Sequence, residues 1–138
     1  MFWSQSVGGE VLHLDVSIPN TPACAAYGRK LFIGFAKQLD LDPEIVTDFE
    51  TAAGEALANA VEHGWRSGGT IRLEAWLTEL GLEAAISDDG PGFAPGTISR
   101  DHPDALAPRG YGRFLMQALM DEVEFRNDGK TVWFLKRL

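Results

Sequence analysis

Between Gly90 and Pro108 the chain carries Pro91, Gly92, Pro95, Gly96, Pro103 and Pro108, a density of breakers through which neither a helix nor a sheet strand can run. Regular structure must therefore form before Gly90 or after Pro108. The two groups must then close around an irregular segment of about 20 residues, with room for one short helical turn. Loops of that size are uncommon inside compact domains and usually functional. The full length, 138 residues, fits one domain, 1–138, with one core.

Before the break, Val11 to Ile18 has apolar residues at alternate positions and reads as a strand. Pro19-Asn20-Thr21-Pro22 ends it. Asn20 or Thr21 then caps a helix that holds Pro22 in its first turn and runs to about Leu39. Asp42-Pro43 opens a second helix that reaches about His63 and stops at Gly64. At about 100° per residue, Phe49, Ala53, Ala56, Leu57, Ala60 and Val61 share one face of it, with Asp48, Glu55, Asn59 and Glu62 opposite. Strands are expected over 70–78 and 82–87, and beyond the break over 123–126 and 131–135, with a third helix from about Gly112 to Met120. Asn127-Asp128-Gly129-Lys130 reads as a hairpin whose Asp-Gly supplies positive φ angles. The economical architecture is α+β: a two-layer sandwich with helices on one face of a mixed, mostly antiparallel sheet.

Charge and composition narrow the function. A net charge of −8 repels phosphate backbones and argues against direct nucleic-acid binding. No apolar run approaches the ~20 residues that cross a bilayer, and Met1-Phe2-Trp3-Ser4-Gln5 lacks the character of a signal peptide. Cys24 is the single cysteine, so no internal disulfide forms, which suits a reducing cytoplasm. His13, His63 and His102 are scattered, without zinc-site spacing.

Three short segments carry candidate chemistry. Glu55 and Asn59 stand at i and i+4, so their side chains project together. A carboxylate there can orient or deprotonate a nucleophile, and an amide oxygen beside it suits Mg2+; a solvated helix face is the plain alternative. Asp88 ends a strand, where it can accept a hydrogen bond from an exocyclic amine such as that of adenine. Gly90 and Gly92 let the backbone approach a flat ring, although Asp, Gly and Pro also make an ordinary turn. Gly110 and Gly112 precede an apolar helix whose open N-H groups can hold phosphate, and Arg109 beside them suits a phosphate, a partner protein or solvent. No P-loop or Rossmann signature is present. Trp76, Trp133 and Phe134 read as core or sheet surface, and His63 as positional.

Taken together the chain resembles the GHKL (Bergerat-type) ATPase fold, and within it the small anti-sigma factor serine/threonine kinases. Glu55-Ala56-Leu57-Ala58-Asn59 followed by Ala60-Val61-Glu62-His63-Gly64 resembles the N-box. Asp88-Asp89-Gly90-Pro91-Gly92-Phe93 resembles the G1 box, and Arg109-Gly110-Tyr111-Gly112 with Leu119-Met120-Asp121-Glu122-Val123 the G2 box and its helix exit. The resemblance implies ATP and Mg2+ as cofactors, with Asn59 on the metal and Glu55 as general base. Asp88 would bind the adenine amine beside Gly90 and Gly92, and Gly110 and Gly112 would hinge a lid over the phosphates. It further implies a serine/threonine-protein kinase that phosphorylates a STAS-type anti-anti-sigma protein and holds a sigma factor or another signalling protein, with a homodimer compatible with the family's habit. Two departures stand out. Arg113 occupies a position usually apolar, and residues 93–108 lack the Thr-Thr-Lys lid of many relatives. They keep open a second reading, a catalytically weak or inactive ATP-binding module that acts by sequestering a partner.

Overall fold

The computed structural model describes residues 3–5, 12–64, 68–89 and 108–138. Its elements are β1 (Trp3–Gln5), β2 (Leu12–Pro19), α1 (Pro22–Lys37), α2 (Pro43–Gly64), β3 (Thr70–Leu77), β4 (Leu82–Asp88), α3 (Pro108–Leu119), β5 (Glu122–Arg126) and β6 (Thr131–Lys136). Six strands form one sheet in the order β1-β2-β3-β4-β6-β5, and every pairing among them is antiparallel. The helices cover one face, giving the expected α+β sandwich. None of the described helices is long and apolar enough to cross a membrane.

Local chemistry sets the element ends. Thr21, not Asn20, caps α1: its hydroxyl accepts from the Cys24 N-H at 3.1 Å, with Pro22 in the first turn. Asp42 opens α2 by accepting from the Glu44 N-H at 2.9 Å. The β5–β6 turn takes positive φ at Asn127 (55°) and Asp128 (58°) as well as Gly129 (84°), so the left-handed stretch starts one residue before the Asp-Gly pair. At the β3–β4 turn Gly81 has φ 144° and lies so close to the Lys136 carbonyl that no Cβ would fit. Two elements depart from the sequence expectation. β1 is only three residues long, too short to show a period. α3 begins at Pro108, four residues before the expected start, because proline suits the first helical position and Gly110 and Gly112 tolerate helical backbone.

α2 is the spine of the core. It lies between α1 and α3 and presents Ala52, Ala53, Ala56 and Ala60, all buried, so its neighbours approach closely. Phe49 anchors its first half, edge-on to Phe32 (5.9 Å) and Phe134 (5.8 Å). Burying each such ring contributes about 1.5–3 kcal/mol. Lys136 on β6 ties the layers: its ammonium pairs with Asp48 of α2 at 3.1 Å and donates to the Leu119 carbonyl at the end of α3 at 2.8 Å.

The other sheet face is polar and aromatic. Arg72 donates two hydrogen bonds to the Asp15 carboxylate (3.0 and 2.8 Å) and pairs with Glu74 at 3.3 Å. The Arg72 hydrogen bond holds the Asp15 carboxyl below its usual range. Trp76 stacks on His13, and the Trp133 indole donates to Glu83 at 2.9 Å, so both tryptophans belong to the sheet surface while Phe134 belongs to the core.

Candidate functional site

The last three turns of α2 and the ends of β4, β6 and α3 meet at one end of the sheet. Asn59 is expected on the polar face of its helix, yet it is only 7% exposed. α2 is covered by α1, α3 and the sheet, so Asn59 lies in the interior while Glu62 of the same stripe stays exposed. Asn59 and Asp88, also 7% exposed, line one cavity with Ala56, Ala60, Ile86, Phe125, Gly129, Lys130 and Val132. The space these residues enclose is about 10 Å³, enough for about one water molecule. A nucleotide base therefore needs these walls to part, or space beyond the described residues.

The Asn59 amide nitrogen is buried and has no hydrogen-bond partner among the described residues. Such groups are rare and mark a place where a ligand or ion is expected. An amide in that state fits the role of an oxygen ligand to Mg2+, because rotation about its last torsion brings the oxygen into the cavity.

Glu55, one turn earlier, is partly buried. Gly112 of α3 rests on it: a Cβ at position 112 would lie 2.5 Å from Glu55 Oε2 and 3.3 Å from its Cδ. The G2-type glycine thus meets the N-box carboxylate. In α3, Arg109 and Gly110 fall in the first turn, where backbone N-H groups lack intrahelical acceptors. Gly112 falls one turn further in, so its N-H belongs to the helix ladder rather than to the open end. Gly90 and Gly92 lie outside the described residues, as does most of the expected lid.

Asp88 is held by the sheet. Its N-H donates to the Lys130 carbonyl at 2.8 Å, one step beyond the Ser87–Thr131 pair that closes the β4–β6 register. Its neighbour Asp89 does different work: its carboxylate accepts from the Thr70 N-H at 3.0 Å and fastens the start of β3.

Several site neighbours were not anticipated. Gly64, read as a helix stop, is the last residue of α2; a Cβ there would lie 2.6 Å from Asn20 Nδ2 and 3.1 Å from Asp88 Oδ1. Asn20, read as a possible cap, is buried and donates to the Ala60 carbonyl at 3.2 Å, while its own oxygen has no partner among the described residues. Lys130 lines the cavity, a position that strand alternation with Val132 could have revealed. The Arg113 guanidinium sits 4.9 Å from the ring centre of Phe125, a cavity wall, so this departure from the family pattern braces the site from behind.

Two other features lie apart. A groove of about 620 Å³ between α1 and α2 is lined by apolar residues such as Ala25, Ile33, Leu57 and Val61, with Arg29 and Lys30 beside them. On the outer sheet face His13, Asp15 and Glu74 bring ligand-type atoms within 4.8 Å. Arg72 already pairs with both carboxylates and offsets one of their two charges without a metal.

Residues 18–136 match the family model of the histidine kinase-like ATPase domain. The serine-protein kinase RsbW of Bacillus pumilus is 32% identical, over 91% of this chain and 85% of that protein. The serine-protein kinase RsbW of Bacillus subtilis is 28% identical over 91% and 86%, and that of Oceanobacillus iheyensis 29% over 83% and 79%. The chain belongs to the histidine kinase-like ATPase domain family, in the branch that holds the RsbW serine-protein kinases.

Proposed function

We propose that this protein is a Mg-ATP-dependent serine/threonine-protein kinase of the cytoplasm, acting as one domain over 1–138. Its substrate would be a STAS-type anti-anti-sigma protein and its second partner a sigma factor. The observation that carries this reading is the meeting of three motif segments. Asn59, whose buried amide nitrogen has no partner among the described residues, shares a cavity with Asp88, and Gly112 rests on the Glu55 carboxylate.

In this reading ATP, when bound, supplies the phosphoryl group and Mg2+ offsets its charge. Asp88 would accept from the base amine, and Asn59 would hold Mg2+ through its amide oxygen. Arg109 and the open N-H groups of the first α3 turn would hold the phosphates. Glu55 takes the proton from the substrate hydroxyl as that oxygen bonds to the terminal phosphorus and the bond to the leaving ADP oxygen breaks. A partner surface is also at hand. α1 bears Arg29, Lys30 and Lys37 and no acidic residue in a chain of net charge −8, and among the described residues none of the three cations forms an ion pair.

The test is label transfer from γ-labelled ATP to candidate STAS proteins. Glu55→Gln is expected to keep ADP binding and abolish transfer. Normal transfer by this variant removes Glu55 from the base role. ATP binding with no transfer by the wild type turns the reading to the sequestering module, which the same basic α1 surface also supports.

A further inference from the structure

Among the described residues, Lys130 is the one in the Asn59–Asp88 cavity wall whose charge no motif accounts for. Its position follows from the sheet. The Thr131 hydroxyl bonds Ser87 Oγ at 3.1 Å on the outer face, so the residues before and after it, Lys130 and Val132, face the helices. The same alternation puts Asp88 on that side. The Asp88 N-H bond to the Lys130 carbonyl makes the two residues cross-strand neighbours at the end of the ladder. Both line the cavity. Among the described residues no carboxylate pairs with the Lys130 ammonium.

We infer that Lys130 is a specificity-determining residue that donates to a ring-nitrogen acceptor beside the amine bound by Asp88, and so selects adenine-type bases over guanine. The inference rests on the nucleotide reading above and deepens it. A carboxylate alone chooses poorly between these bases. It accepts one amine from adenine, but it matches the two adjacent N-H donors on the guanine edge at least as well. A cation next to it reverses the preference. Both ring nitrogens flanking the adenine amine are acceptors, whereas guanine presents a donor between its amine and its carbonyl. Lysine at this place therefore completes a donor-acceptor pair that only an adenine-like edge satisfies. A charge-assisted hydrogen bond of this kind changes affinity by about tenfold or more.

Calorimetry with Mg-ADP, Mg-GDP and the 1-deaza and 7-deaza analogues of ADP tests this on the wild type, Lys130→Met and Lys130→Arg, with thermal melts to confirm folding. The wild type should prefer ADP to GDP at least a hundredfold and lose about tenfold on one of the deaza analogues. Lys130→Met should weaken ADP about tenfold, leave GDP unchanged or tighter, and respond to neither deaza substitution; Lys130→Arg should restore most of the preference. Binding of ADP by Lys130→Met with the wild-type ADP:GDP ratio overturns the inference while sparing the nucleotide reading. Absence of binding by the wild type to any of these ligands overturns both.

Discussion

Gly112→Ala separates the stability of the fold from the chemistry proposed for it. Gly112 is helical and buried, and the added methyl carbon would meet Glu55 Oε2 at 2.5 Å, with Glu55 Cδ at 3.3 Å and Cβ at 3.6 Å. Only the far end of the glutamate is truly in the way, and it must retreat by about 1 Å. Alanine in a helix interior gains roughly 0.8–1 kcal/mol over glycine. Pushing the Glu55 torsions off their minimum returns about 0.5–1.5 kcal/mol. The two nearly cancel, so the urea midpoint and Tm should stay close to wild type. A shift on the order of 1 Å in a reacting group, by contrast, costs about 100-fold in rate. Transfer of label from γ-labelled ATP to the proposed STAS-type partner should fall accordingly while ADP affinity, measured by calorimetry, holds. Adding Gly112→Ala to Glu55→Gln should cost nothing further, because both act on the same carboxylate. A stable Gly112→Ala protein that transfers phosphate at the wild-type rate would refute the link between this contact and the reaction.

Two further expectations concern stability. Lys136→Met strands the partly buried Asp48 carboxylate (22% exposed) and the Leu119 carbonyl. It should cost about 1–3 kcal/mol in urea unfolding, whereas Arg137→Ala, which breaks the exposed pair with Glu122, should cost under about 1 kcal/mol; equal losses would contradict the anchoring role. The Arg72 hydrogen bond holds the Asp15 carboxyl below the usual aspartate range, so its contribution is fully present above that range and fades as pH falls through the depressed value. Asp15→Asn should therefore narrow its stability deficit relative to wild type between pH 5 and 3, modestly because the pair is exposed, and a constant deficit would count against the linkage.

Most of the scaffold was legible because its signals are periodic. Alternation in β2 and β3, the proline-bearing starts of α1 and α2, and the ordered acidic, amide and glycine motifs needed no tertiary information. What escaped had physical reasons. The inward turn of Asn59 depends on α1 and α3 flanking α2, which no single-helix projection reveals. Asn20 resembles a cap in sequence, but Thr21 takes that bond and leaves Asn20 to the interior. Lys130 sits in a turn, where charge reads as solvent contact until the ladder extends by one more hydrogen bond.

The alanine-lined inner face of α2 has a consequence for how such a chain diversifies. Ala52, Ala53, Ala56 and Ala60 leave no side chain that can swing aside, so enlarging any of them presses on helix and sheet at once. Variation along this spine should forfeit folding and turnover together. The turn at 127–130 borders the same cavity yet contributes little to the interior. New ligand preferences can therefore arise at the turn while the spine stays fixed.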